Sequence, residues 1–178
     1  MAGDGNALTG LWFSGQKHFG ETLSADHTER FLPVFAETVR WLDLYFSGGI
    51  PGFRPALNPK GTVFRKAVWE ILLTIPYGRT MTYGEIAERI SGKTGDGRTM
   101  PYGEIGERIA GGRGGGRMSA RAVGGAVGHN PILLIIPCHR VVGADGRLTG
   151  YAGGTDKKAR LLQMEQTEIK KRGGITDE

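Results

Sequence analysis

A run of five aliphatic residues, 132–136, leads directly into Pro137 and the only cysteine of the chain, Cys138. Such a run predicts a buried strand, and proline must end or turn it because proline fixes φ and lacks an N–H donor. The sulfur of Cys138 would then be held at a fixed depth. His139 and Arg140 beside it should favour the thiolate, the reactive form of cysteine. The alternative is a small buried hydrophobic residue without a chemical role.

The composition limits the class of protein. A length of 178 residues suits one domain or two small ones, and a net charge of +5 favours a polyanionic partner. A single cysteine excludes an internal disulfide and indicates a reducing compartment, and the four histidines show no metal-ligand spacing. Without a membrane-length apolar run or a signal-peptide pattern, we expect a cytoplasmic protein.

The first third of the chain predicts a short strand and one helix. Residues 8–13 favour the strand, and residues 33–46 the helix, with Pro33 in its first turn. Three prolines within residues 50–60 predict an extended linker after it. The apolar positions at helical spacing are Leu32, Phe35, Val39, Leu42 and Phe46.

The middle of the chain predicts helices with recognisable starts. Thr62 can cap a core-facing helix, and Thr82 with Glu85 forms a capping box for a short helix that ends near Ile90. Ser119 can cap a helix over residues 120–129, which would pair with the short helix in a helix-turn-helix-like arrangement. The core positions of the first of these helices are Phe64, Ala67, Val68, Ile71, Leu72 and Ile75.

Residues 78–90 recur, 19 positions later, as residues 97–109. Two copies are too few for a solenoid, which needs about three repeats, so the repeat indicates a local duplication. Each copy carries a tyrosine at the same place, Tyr83 and Tyr102.

The two copies differ in helix-forming quality. The second copy has Pro101 where the first has the capping Thr82, and Gly106 where the first has Ala87. A glycine in a helix interior costs about 1 kcal/mol relative to alanine. We therefore predict that the first copy is the docked helix and that the second is an excursion.

The sequence around Cys138 resembles that of the O6-alkylguanine-DNA alkyltransferases, also called methylated-DNA–protein-cysteine methyltransferases. The resemblance rests on Asn130-Pro131, on Pro-Cys-His-Arg-Val-Val-Gly from Pro137, and on Gly-Tyr-Ala-Gly-Gly from Gly150. Residues 121–128 resemble that family's DNA-recognition helix. The likeness covers about residues 8–165.

The resemblance implies an α/β (α+β) fold in two domains and a tail. Residues 1–57 would form a small amino-terminal β-sheet and helix domain. Residues 58–166 would form a mostly helical catalytic domain with the helix-turn-helix-like DNA-binding pair, and a last helix would begin at Thr155. Residues 167–178 would form a charged tail, frayed from about residue 170.

The resemblance also implies a chemical role for several residues. Cys138 would be the nucleophile, His139 its base through a bridging water, and Glu165 the group that orients the histidine. Tyr83, with Tyr102 as its competitor, would donate a proton to the leaving guanine or hold the rotating phosphate. The transfer would need no metal or organic cofactor.

DNA binding is implied for Arg121, Ser119, Ala122 and Gly124. Among these, Arg121 would be the wedge inserted into the base stack when the nucleotide flips out.

The base pocket is implied to consist of Tyr151, Ala152 and the backbone at Val141, with Asn130 bracing the turn before the apolar run. Many family members have serine where Ala152 stands, so one hydrogen bond to the base would be absent. Arg140 is expected to be structural.

The chain departs from the family pattern in two ways. The duplication is one. The other is that the usual hairpin before residues 8–13 is expected to be missing, which would leave a truncated amino-terminal domain with an exposed sheet edge.

Several functions fit these residues. The resemblance favours DNA repair by single-turnover transfer of an alkyl group from O6-alkylguanine, and from O4-alkylthymine, in double-stranded DNA to Cys138 of a monomer. The duplication and the short amino terminus leave open an inactive or impaired protein that binds alkylated DNA. A sensor would have tryptophan in place of cysteine, a regulator would carry a zinc-binding region, and a cysteine hydrolase has only Cys138-His139 in its favour.

Overall fold

The computed structural model describes residues 1–92 and 119–173, so the second repeat copy with Tyr102 lies outside the described residues. The described part combines two small sheets with five α-helices, and the predicted α/β (α+β) class is confirmed. The strands are β1 (Ala2–Gly3), β2 (Leu8–Gly10), β3 (Met81–Thr82) and β4 (Val141–Val142). The helices are α1 (Pro33–Phe46), α2 (Val63–Leu72), α3 (Tyr83–Ile90), α4 (Ala120–Gly128) and α5 (Thr155–Gly173).

The amino-terminal sheet is small but paired. β1 runs antiparallel to β2, and Leu8 also forms a bridge to Leu57 on its other side. The chain thus forms a short hairpin at its amino terminus, and the edge of β2 at Leu8 is covered on both sides. Whether the domain is truncated relative to its family stays a prediction.

Helix α1 has the predicted bounds, but its buried face differs from the predicted one. Val39 and Phe46 were expected to face the core and are exposed. The helix is rotated by about one residue, and the aromatic rings of Trp41 and Tyr45 on its buried face stack at 5.2 Å. The buried residues of α1 are Val34, Thr38, Trp41 and Tyr45.

The predicted caps of α2, α3 and α4 are confirmed. The Thr62 side chain accepts from the backbone N–H of Arg65 at 3.2 Å. Both hydrogen bonds of the Thr82–Glu85 capping box are present, and the Ser119 side chain accepts from the backbone N–H of Ala122 at 3.2 Å. The apolar face of α2 is also confirmed, apart from the half-buried Phe64, and Trp69 joins it by donating from Nε1 to the Ala126 carbonyl at 2.9 Å.

The apolar run 132–136 is buried but is not a strand. Only Ile132 forms a bridge, to Leu11, and the chain then turns, with Leu134 at a positive φ of 68°. The side chain of Asn130 explains the turn, because its Oδ1 accepts from the N–H of Ile132 and its Nδ2 donates to the Ile136 carbonyl. One asparagine thereby provides the partners that a neighbouring strand would have supplied.

Helix α5 continues through residue 173, so the expectation of a frayed end from residue 170 is wrong for residues 170–173. Cationic side chains suit a helix carboxyl terminus, and Lys171 forms a 2.7 Å ion pair with Glu168. Across the two described ranges, every helix is too short or too polar to cross a lipid bilayer.

Candidate active site

Cys138 begins a 3-10 turn (Cys138–Arg140) at the centre of the protein. The residue is 2% exposed. The Asn130 side chain fixes the sulfur in place, because its Nδ2 donates to Sγ of Cys138 at 3.0 Å as well as to the Ile136 carbonyl at 2.8 Å. The asparagine that folds the apolar run therefore also positions the sulfur.

The thiol of Cys138 is protonated at neutral pH. Burial raises its pKa to about 11, although the hydrogen bond from Asn130 and the charge of Lys158 act in the opposite direction. We expected His139 and Arg140 to favour the thiolate of Cys138, and that expectation is wrong for the conformation described here. Neither side chain hydrogen-bonds to the sulfur, because both are turned towards Glu165.

His139 is fully buried beside the carboxylate of Glu165. Its Nε2 lies 2.9 Å from Oε1 of Glu165. Because an ionised carboxylate can only accept, Nε2 carries the proton and Nδ1 carries the lone pair. Nδ1 is buried and hydrogen-bonds to no atom in residues 1–92 or 119–173. Burial lowers the pKa of His139 and outweighs the opposing effect of Glu165, so the imidazole is a neutral base.

Glu165 is a fully buried carboxylate with several donors around it. Burial alone would raise its pKa, but the hydrogen bonds from His139 and Arg140 lower the pKa to about 2. Arg140 donates from Nε and Nη2 to the carboxylate and from Nη1 to the Ile75 carbonyl. The backbone N–H of Gly78 donates to Oε2 at 2.9 Å. The expected structural role of Arg140 agrees with these contacts.

Tyr45 also belongs to this cluster, and sequence reasoning missed it. Its hydroxyl donates to Oε1 of Glu165 at 2.7 Å and lies 3.3 Å from Nε2 of His139. Burial and the nearby Glu165 raise the pKa of Tyr45, so it remains a phenol. The sequence did contain a signal for Tyr45, because it lies four residues after Trp41 and therefore on the same face of α1. That signal was missed because the other face of α1 was assigned to the core.

Lys158 is a second residue that sequence reasoning missed. Its ammonium is buried and donates to the carbonyls of Val141 and Thr149, and burial lowers its pKa to about 8. A buried lysine is unusual when it has no carboxylate partner, and Lys158 has none within residues 1–92 and 119–173. The sequence signal for a buried Lys158 was its helical spacing from Leu161 and Glu165, which places the three residues on one face of α5.

Tyr83 is at the start of α3, and its hydroxyl donates to the Thr149 carbonyl at 3.1 Å. Burial raises its pKa. The ring lies beside Gly124 of α4, and a side chain at Gly150 would meet the Tyr83 hydroxyl at 2.8 Å. The first repeat copy is thus packed against both α4 and the glycine-rich loop.

The residues predicted to form the base pocket lie close to Cys138 and His139. Val141 is in β4, which runs parallel to β3. Tyr151 is buried, and its ring centroid lies 6.3 Å from that of His139. Ala152 is half-buried, and its carbonyl accepts from the backbone N–H of Lys17 at 3.2 Å.

The helix expected to bind DNA presents its first turn to solvent. Ser119, Arg121 and Ala122 are exposed, whereas Val123 is fully buried against the core. Helices α3 and α4 pack against each other, as the helix-turn-helix-like prediction requires. The exposed surface is therefore narrow and formed by small side chains, with Arg121 as its cationic member.

The fold and the site define a protein that combines a pair of packed helices with a buried cysteine followed by a buried, neutral histidine. A model of the 6-O-methylguanine DNA methyltransferase, DNA binding domain, matches residues 63–96 and 93–167, two stretches that overlap just before the second repeat copy. The chain belongs to the methylated-DNA–protein-cysteine methyltransferase family.

Relatives extend the match over nearly the whole chain. The methylated-DNA–protein-cysteine methyltransferase of Mycobacterium tuberculosis is 41% identical over 167 residues, which cover 94% of this chain and 85% of that protein. The same-named protein of Methanosarcina acetivorans is 41% identical over 166 residues, covering 93% and 89%. The crystal structure of M. tuberculosis OGT in complex with DNA has a TM-score of 0.70 at 41% identity and covers 94% of this chain and 85% of that one.

Proposed function

We propose that the protein repairs DNA by transferring one alkyl group from O6-alkylguanine, or from O4-alkylthymine, to Sγ of Cys138. The observation that carries this proposal is the tautomer of His139. Glu165 holds the Nε2 proton, which leaves a buried, basic Nδ1 on the residue that follows Cys138, whose thiol is also buried. A nucleophile with an oriented base is the arrangement that covalent catalysis needs.

The target base must leave the duplex, because its O6 atom is hidden in the stack. Arg121 is the residue for this step: it is exposed at the start of α4, where a side chain can enter the stack. The phosphate backbone would contact the amino-terminal turn of the same helix around Ser119, Ala122 and Gly124.

In the transfer step, the S–C bond forms as the bond between the alkyl carbon and O6 breaks. The thiol proton passes through a water to Nδ1 of His139, because a thiol with a pKa of about 11 cannot ionise unaided at neutral pH. The leaving guanine takes a proton from Tyr83, whose raised pKa keeps its hydroxyl protonated, and the proton accepted by His139 then returns through water to Tyr83. Tyr151, Ala152 and the backbone at Val141 would hold the base.

The reaction occurs once per molecule. The product is a thioether, and water does not hydrolyse a thioether under mild conditions. We propose a monomer that acts in the cytoplasm, with residues 1–57 as a supporting domain and residues 58–166 as the catalytic domain. Tyr45 of α1 would make the first of these domains a contributor to the active site.

The proposal is tested by comparing Cys138→Ala and Arg121→Ala with the unaltered protein. Cys138→Ala should abolish transfer and keep most DNA binding, since binding depends on phosphate contacts. Arg121→Ala should slow transfer from duplex DNA far more than from free O6-benzylguanine, which needs no flipping. A Cys138→Ala protein that still takes up the alkyl group, or equal losses by Arg121→Ala on both substrates, would contradict these assignments.

A further inference from the structure

A cluster of metal-binding side chains lies outside the active site, at the carboxyl end of α4. His18, Glu21 and His129 each place one donor atom within 4.8 Å of the others. The spacing of histidines in the sequence predicted no metal site, because spacing reveals only ligands on one local element. The fold brings His18, from the loop after β2, against His129, with ring centroids 4.1 Å apart.

We propose that His18, Glu21 and His129 bind a zinc ion. Two imidazoles and a carboxylate form a donor set that zinc accepts with a water as fourth ligand. Donors of a tetrahedral zinc site lie about 3.3 Å apart, so movements of about an ångström close the site. Glu21 has an exposed side chain and His18 a partly exposed one, which allows both the movement and the entry of the ion.

The hydrogen bond of His129 favours a metal-binding tautomer, and His18 already contacts the third proposed ligand. Nδ1 of His129 lies 2.7 Å from the Gly125 carbonyl, which can only accept, so the lone pair is on Nε2. Nδ1 of His18 lies 2.8 Å from Oε2 of Glu21. Metal-ligating histidines typically donate their second N–H to a carbonyl or carboxylate, and the contact of His129 with the Gly125 carbonyl is of that kind, whereas Glu21 is itself a proposed ligand.

Two further observations support the site. His129 is the residue that ends α4, where the partial negative charge of the helix favours a cation. His18 has a left-handed backbone, with a φ of 61°, a conformation that is uncommon for residues other than glycine and that recurs where function requires it.

A bound ion would connect three parts of the protein. His129 precedes Asn130, which hydrogen-bonds to Sγ of Cys138. Lys17, next to His18, donates from its backbone to the Ala152 carbonyl of the pocket loop. Zinc would therefore fix the loop of residues 17–21 to the recognition helix and to the substrate pocket.

The test is a calorimetric titration of the metal-free full chain with zinc chloride. We expect one equivalent to bind, with at least tenfold weaker binding in both His18→Asn and Glu21→Gln. Asparagine is used because it tolerates a left-handed backbone, and Glu21 is exposed, so neither change should unfold the chain. His27→Ala is the matched control: His27 is in the same long loop but outside the cluster, and it should leave binding unchanged.

Two spectroscopic measurements locate the ion. Zinc should shift the ring-proton resonances of His18 and His129 but not those of His27 and His139. Cobalt in place of zinc should show visible bands without a sulfur-to-cobalt charge-transfer band. The proposal is wrong if no saturable binding occurs, if His18→Asn and Glu21→Gln bind zinc as tightly as the unaltered chain, or if a charge-transfer band places the ion on Cys138.

Discussion

Tyr45 donates a 2.7 Å hydrogen bond to Oε1 of Glu165, the same oxygen that accepts from Nε2 of His139. A residue of the first helix thus shares an acceptor with His139, the proposed base. The strength of the bond between Glu165 and His139 depends on how many other donors that oxygen serves. Tyr45 is therefore placed to tune the basicity of His139 through Glu165.

We predict that Tyr45→Phe slows alkyl transfer at acidic pH, by about tenfold for each unit by which the pKa of His139 rises. With one donor fewer, Glu165 should hold the His139 proton more strongly and raise the pKa of His139. Because His139 must be neutral to act as a base, the rise of the rate with pH should move to higher pH. Rates with free O6-benzylguanine between pH 5 and 9 measure this shift.

Tyr77→Phe is the matched control for Tyr45→Phe. Tyr77 also packs beside Tyr45, but its buried hydroxyl hydrogen-bonds to no atom in the described ranges. Its removal should leave the pH profile unchanged. A pH profile of Tyr45→Phe that matches the unaltered protein would mean that Tyr45 only fills space.

Glu165→Gln should destabilise the protein at neutral pH by about 3–5 kcal/mol, because it breaks a buried ion pair with Arg140. The pKa of Glu165 is lowered to about 2, so its stabilising effect is present above the ordinary carboxyl pKa. That effect is lost as the pH falls from about 4.5 towards 2. Urea unfolding across this range should show a steeper loss of stability in the unaltered protein than in Glu165→Gln.

Lys158→Met should slow transfer and change its pH dependence. The Lys158 charge lowers the pKa of the Cys138 thiol, and each unit by which that pKa rises reduces the thiolate about tenfold. Since the pKa of Lys158 is about 8, the rate advantage of the unaltered protein should be largest below pH 8 and should shrink above it. Lys157→Met, on the exposed neighbour, is the control and should behave like the unaltered protein.

The duplicated tyrosines give a further prediction. Tyr83→Phe should reduce transfer strongly, because its hydroxyl reaches the Thr149 carbonyl of the loop that precedes Tyr151. Tyr102→Phe should leave the rate of alkyl transfer nearly unchanged. Deleting residues 91–109 should preserve or improve activity, since it removes the copy whose sequence is less suited to a helix. If Tyr102→Phe is the damaging change, the second copy occupies the site.

The sequence predicted what local chemistry determines. The caps at Thr62, Thr82 and Ser119 and the bounds of α1 were correct, because capping and helix spacing depend on residues a few positions apart. The choice between the two faces of α1 was wrong, since both faces have helical period and only the tertiary partners of Trp41 and Tyr45 distinguish them.

Spacing patterns in the sequence could not predict contacts between residues that are far apart in the chain. The apolar run was predicted to be a strand because a buried turn and a buried strand can have the same apolar sequence. In the structure, hydrogen bonds from the side chain of Asn130 replace the expected pairing with a neighbouring strand. Tyr45 and Lys158 reach the site from separate helices. The role of Tyr45 depends on the position of Glu165, and the role of Lys158 depends on the position of Cys138. No local sequence pattern encodes either position.

The central claim, that Cys138 accepts one alkyl group and keeps it, is tested most directly by mass spectrometry of the protein after reaction with excess O6-methylguanine duplex. We predict that the intact chain gains the mass of one methyl group, that the peptide containing Cys138 carries it, and that methylated DNA is consumed in an amount equal to the protein. Repeated turnovers, or a methyl group on any other peptide, would contradict the account.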